Sequence, residues 1–99
     1  MLKTPAELMQ ELGQRIAVRR KALGWTQQAA AERAGVSYRT WRRLESAGLA
    51  SIEDLVKAAV ALRCEEDLEG LFPAPAASSL DDLLRQQKAQ SRRSGLARS

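Results

Sequence analysis

The stretch TQQAAAERAGVSYRTWRRLES, residues 26–46, is made of helix formers except at its middle, where Gly35 is followed by Val36 and Ser37. Glycine weakens a helix interior by about 1 kcal/mol relative to alanine, and it takes up positive φ at little cost. Ser37 then offers a side-chain oxygen suited to capping a new helix. The stretch therefore predicts two short helices joined by a sharp turn at Gly35. A helix, a tight glycine turn and a second helix form a helix-turn-helix arrangement.

The flanks extend this pattern. Thr4-Pro5-Ala6-Glu7 starts a helix: Thr4 caps, Pro5 fits the first position and Glu7 can close a capping box. Leu8, Leu12, Ile16 and Leu23 are expected on its one buried face, and Lys21-Ala22-Leu23-Gly24 ends it. Thr26 caps a second helix to about Arg33, and Ser37 a third to about Ser46, ended near Gly48. Ser51-Ile52-Glu53-Asp54 opens a fourth, expected to bury Ile52, Leu55, Val56, Ala59 and Leu62. A fifth, short and acidic, is expected from about Glu65 to Leu71. Pro73 to Ser79 reads as a linker, because its prolines favour extended backbone. Ser79, with Asp82 three residues on, starts a last helix whose apolar side chains are Leu80, Leu83 and Leu84; from Gln86 the chain is polar and basic. No strand or repeat is indicated. The expectation is an all-α chain: a five-helix helix-turn-helix domain over residues 1–72, a linker over 73–79, and a tethered C-terminal helix and basic tail over 80–99.

Charge is unevenly spread along the 99 residues. Residues 1–48 hold nine Lys/Arg and four Asp/Glu, net +5; residues 49–79 hold two and six, net −4; residues 80–99 hold five and two, net +3. Two basic segments around an acidic one favour an anionic partner such as nucleic acid. Other classes have little to work with. There is no histidine, and the single cysteine, Cys64, cannot form an internal disulfide, so neither a metal site nor a cofactor is expected. No glycine-rich phosphate loop and no nucleophile with an identifiable base is present, so an enzyme is not expected. Aromatics are only 4% of the chain, few platforms for stacking single-stranded RNA. Without a membrane-length apolar run or a signal pattern at Met1, the expected location is the cytoplasm.

The third helix carries the chemistry. Ala31 is small where that helix must cross close by, and Ala34, Val36, Trp41 and Leu44 supply the inward face of the whole motif. The outward face is then Tyr38, Arg39, Arg42 and Arg43, with Thr40 at its margin. Three arginines and a tyrosine suit a DNA major groove and its phosphate walls. Arg39 and Arg43 are four apart and project from one face, each able to donate two hydrogen bonds to a guanine. Arg42 lies beside them, placed for a phosphate. Tyr38 can stack on, or hydrogen-bond to, a base or sugar.

In order and spacing, Leu12-Gly13-Gln14-Arg15-Ile16, Arg19-Arg20-Lys21, Gly24-Trp25-Thr26-Gln27, Ala31-Glu32-Arg33-Ala34-Gly35-Val36-Ser37 and Leu44-Glu45 resemble the Cro/C1-type (Xre family) helix-turn-helix proteins over about residues 8–72. The resemblance implies a lambda-repressor-like domain. It implies that Tyr38, Arg39 and Arg43 reach base edges. It also implies that Gln27 touches a phosphate and braces the reading helix, and that Ser37 holds a phosphate at that helix's N-terminus. Arg20 and Glu45 match a buried ion pair between the first and third helices. The fourth and fifth helices of such proteins often form a dimer interface, which makes Leu68, Leu71 and Phe72 candidates; burial of these three within the monomer is the alternative. Size and tail also resemble the HipB-like antitoxins, which bind a kinase-like toxin and repress their own operon.

Two departures stand out. Ala30 replaces the family's usual leucine, and Trp41 its usual isoleucine or valine, so Trp41 is expected to pack over Ala30 and fill the space. The loop Ala47-Gly48-Leu49-Ala50 lacks the lysines often found there. The tail has three possible roles: phosphate contact through Arg92 and Arg93, a partner-binding motif built on Leu80, Leu83 and Leu84, or none.

Overall fold

The computed structural model describes residues 2–76 and 83–90, and every regular element in it is helical. α1 runs Pro5–Ala22, α2 Gln27–Ala34, α3 Tyr38–Ala47, α4 Ile52–Ala61 and α5 Glu65–Glu69. A further helix, α6, covers residues 83–90. Its expected start at Ser79–Leu80 lies outside the described residues, as do Arg92 and Arg93.

Four starts share one local device. The side-chain oxygens of Thr4, Thr26, Ser37 and Ser51 accept from the backbone N–H of Glu7, Ala29, Thr40 and Asp54 respectively. Each satisfies a donor that has no partner inside its helix. Glu7 also returns a bond to Thr4, closing the capping box. The turn after α2 is made by Gly35 at φ +75°, and Val36 N–H donates back to the Ala31 carbonyl at 3.0 Å. That left-handed residue lets the chain leave α2 and enter α3 within three residues.

The core lies where α1, α2, α3 and α4 converge. Ile16, Ala30, Ala31, Trp41, Leu44, Ala58 and Leu62 form one buried cluster, with Leu12, Trp25, Ala34, Val36, Leu55 and Cys64 packed against it. Trp41 and Ala30 are both wholly buried in it. α1 packs chiefly on α3, and α2 on α3 and α4. The α1–α3 approach is close because Gly13 has no side chain: a Cβ there would lie 2.6 Å from the carbonyl oxygens of both Leu44 and Glu45.

Several apolar residues lie elsewhere than periodicity suggests. Leu8 on α1 and Leu23 at its C-cap are exposed. α1 is about 27 Å long and α3 only about 15 Å, so both ends of α1 overhang their partner. Ile52 and Val56 are exposed too, Ile52 at 80%. α4 packs on α2 through the narrow arc that turns Leu55, Ala58, Ala59 and the C-cap residue Leu62 inward. Val56 stands about 100° round the helix from Leu55, outside that arc. α5 stops at Glu69, short of Leu71; Leu68 is half-buried, whereas Leu71 is exposed and Phe72, at φ +54°, is 90% exposed. Burial of all three inside the monomer is thereby contradicted: α5 has only five residues, too few to bring Phe72 back onto the core. No helix among the described residues is long and apolar enough to cross a membrane.

Candidate nucleic-acid interface

α3 is held by its inner side and presents its outer side. Trp41 and Leu44 anchor it in the core. Tyr38, Arg39, Arg42 and Arg43 are exposed, and Thr40 is half-buried. Arg39 and Arg43 lie on the far side of the helix from Trp41, as the 100° step per residue requires. The Arg42 guanidinium sits 5.6 Å from the centre of the Tyr38 ring, a cation–π distance one helical turn apart. No acidic side chain is paired with any of the three arginines among the described residues.

At the N-terminus of α3, Ser37 Oγ accepts from Thr40 N–H at 3.0 Å and donates to Thr40 Oγ1 at 2.8 Å. The cap thus ties Thr40's hydroxyl to Ser37 and leaves the N–H groups of Tyr38 and Arg39 without an acceptor inside the helix. Free N–H groups at a helix N-terminus, with the helix dipole behind them, favour an anion.

An open groove of about 580 Å³ runs between this face and α1. It gathers Gln27, Arg39, Arg42, Arg43 and Glu45 with three residues the sequence reading did not single out, Gln14, Ala17 and Ser46. Tyr38, Ser37 and Thr40 do not line it. Gln14 and Ala17 each follow a buried member of the Gly13/Ile16 stripe by one position, which puts them at the margin of the packed face; that this margin faces α3 shows only in the fold.

Beneath the groove, Glu45 joins three helices. Arg20 donates from Nε to Oε2 at 2.6 Å and from Nη2 to Oε1 at 3.1 Å, a two-pronged ion pair from α1 to α3. Gln27 Nε2 donates to Oε1 at 3.0 Å from α2, and Trp41 Nε1 donates to Oε2 from within α3. Arg20 Nη1 also donates to the Trp25 carbonyl at 2.7 Å, fixing the α1–α2 turn. Burial pushes the Glu45 carboxyl up, but the hydrogen bonds from Arg20, Trp41 and Gln27, with the Arg20 charge, outweigh it and hold its pKa below the ordinary value. Trp25 is half-buried against the core, with the Arg33 guanidinium 4.4 Å over its ring.

Gln27 is therefore engaged through one amide hydrogen, and its amide nitrogen carries a second. The arrangement is a hydrogen-bonded inner frame carrying an outer row of cations with no acidic partner among the described residues.

A family model described as a helix-turn-helix domain matches residues 11–72. The chain belongs to the helix-turn-helix domain family. No curated protein and no solved structure matches the chain. The match opens inside α1 and closes at Phe72, so it takes in every helix that shapes the groove. In this helix-turn-helix domain α2 is the bracing helix, α3 the outward one, and Gly35 the turn between them.

Proposed function

We propose that this protein is a sequence-specific, duplex-DNA-binding regulator of transcription that acts as a dimeric repressor, with α3 in the major groove. The observation that carries this reading is the outer face of α3: three exposed arginines with no acidic partner among the described residues, on a helix whose inner side is fixed in the core. A solvated helix face would gain nothing by collecting like charges, whereas a duplex supplies phosphates and guanines to meet them. In this reading Arg39, Arg43 and Tyr38 reach base edges. Arg42, Thr40, Ser37 and the second amide hydrogen of Gln27 serve phosphates. Arg20 and Glu45 keep the reading helix at its angle.

Dimerisation is supported by exposed apolar surface on α4 and after α5. Ile52, Val56 and Val60 recur every fourth residue along one side of α4, all exposed, and Leu71 and Phe72 are exposed after α5. A second copy covering this side would bury it, and a two-fold axis would set two α3 helices about 34 Å apart, one DNA turn. The test is fluorescence anisotropy on a selected duplex and on a scrambled one. Arg39→Ala should lose the preference between them while retaining much of the scrambled-site affinity. Equal loss on both duplexes would make Arg39 a phosphate contact.

A second reading is supported by α6, where Leu83 and Leu84 are exposed on a helix beyond the proline linker. It is a HipB-like antitoxin, whose tail binds a kinase-like toxin while α3 serves autoregulation. Pull-down from the native cell after nuclease treatment, with the full chain and with a version ending at Phe72, separates the two. A partner kept by the full chain and lost on truncation favours the antitoxin.

A further inference from the structure

The side chains on α3 allow the chemistry of its site to be narrowed further, taking the proposed major-groove reading as the premise. Two-pronged base recognition follows donor and acceptor patterns: Arg or Lys for guanine, Asn or Gln for adenine, Asp or Glu for cytosine. α3 has no Asn, Gln, Asp or Lys. Its one acid, Glu45, borders the groove, but its carboxylate already accepts four bonds from Arg20, Gln27 and Trp41, which leaves no acceptor site for a cytosine amine. Thr40 has its hydroxyl turned to Ser37. Arg42 stands over the Tyr38 ring. That leaves Arg39 and Arg43, whose side chains have no hydrogen bond, ion pair or ring contact among the described residues. They are one helical turn apart, about 6 Å along the axis, against about 3.4 Å per base pair. That separation is less than two base-pair steps.

We infer that each half-site contains two guanines within three consecutive base pairs, on either strand, read by Arg39 and Arg43. These are the guanine-reading positions of the half-site, one per arginine; a base met by Tyr38 is additional to them.

The experiment is selection from a randomised duplex pool with the full chain, followed by affinity measurements on the selected site with each guanine replaced in turn by 7-deazaguanine. That base keeps its pairing and O6 but lacks the N7 acceptor. Each of the two replacements should weaken binding by several-fold, short of the roughly 5- to 150-fold of a whole two-pronged contact, because the bond to O6 remains. Arg39→Ala should abolish sensitivity to one replacement and Arg43→Ala to the other. Since the replacements are read with the unaltered protein, misfolding of a variant cannot mimic the result. A selected site without such a guanine pair, or one indifferent to 7-deazaguanine, overturns the inference and leaves duplex reading by α3 standing. A pool that never enriches above non-specific binding overturns both.

Discussion

Glu45 accepts four hydrogen bonds from donors on three helices, which saturates a carboxylate. Removing it strands the buried Arg20 guanidinium, so Glu45→Ala should lose about 3–5 kcal/mol in urea unfolding. Its pKa lies below the ordinary 4.5. A lowered folded-state pKa means that the stability it confers is whole above 4.5 and is lost as the pH falls from there through the folded value. The acid-unfolding curve of Glu45→Gln should therefore be flatter over that range than that of the parent; superimposable curves would show that Glu45 does not drive the acid transition. Trp41 acts both as volume and as donor. Trp41→Phe should cost about 1.5–3 kcal/mol, the range for a bond to a charged group, while Trp41→Ala should reach about 3–5 kcal/mol. The sequence made the first role legible, because a large ring beside Ala30 reads as a space-filler. The second was not legible: the resemblance implied a buried pair of Glu45 with Arg20, but that Trp41 and Gln27 donate to the same carboxylate depends on how three helices meet.

The helix ends were the most legible elements, since caps and turn glycines act through residues three or four apart. Thr4, Thr26, Ser37 and Ser51 all cap where expected, and Gly35 and Gly48 both have positive φ. The two glycines nevertheless differ. A Cβ on Gly35 would meet nothing within 4 Å, whereas on Gly48 it would collide with the Met9 backbone of α1. Gly35→Ala should therefore cost only the left-handed penalty of about 1–2 kcal/mol, and Gly48→Ala distinctly more. Thermal unfolding of both variants checks the order; equal losses would contradict it. Helix faces were less legible than helix ends. Leu8, Leu23, Ile52 and Val56 fit the apolar period but lie exposed, because a period fixes which residues share a side and not how much of that side a shorter neighbour covers. Arg63, at φ +60°, turns the chain after α4 without any glycine to announce it.

Across residues 2–76, the arginine face belongs to α3, while an exposed apolar side runs along α4 and the segment after α5. This separation is what a symmetric DNA-binding dimer needs, since each surface can be occupied while the other is in use. Val56→Asp should yield a monomer in sedimentation with its helical circular dichroism intact, and should weaken binding to a two-half-site duplex far more than to a single half-site. The outer row of α3 could be named from the sequence, because core positions on one side of a helix define the other. The groove beside it could not, since Gln14 and Ala17 come from a helix about 25 residues earlier and join the site only through the α1–α3 crossing that Gly13 permits. The central claim is that α3 is the surface that meets DNA, and amide chemical shifts followed by NMR during titration with duplex test it most directly. The account predicts the largest changes at Gln27 and along Ser37–Arg43, with α4 and α5 little moved. Changes concentrated on α4 and α5, or none at saturating duplex, would contradict it.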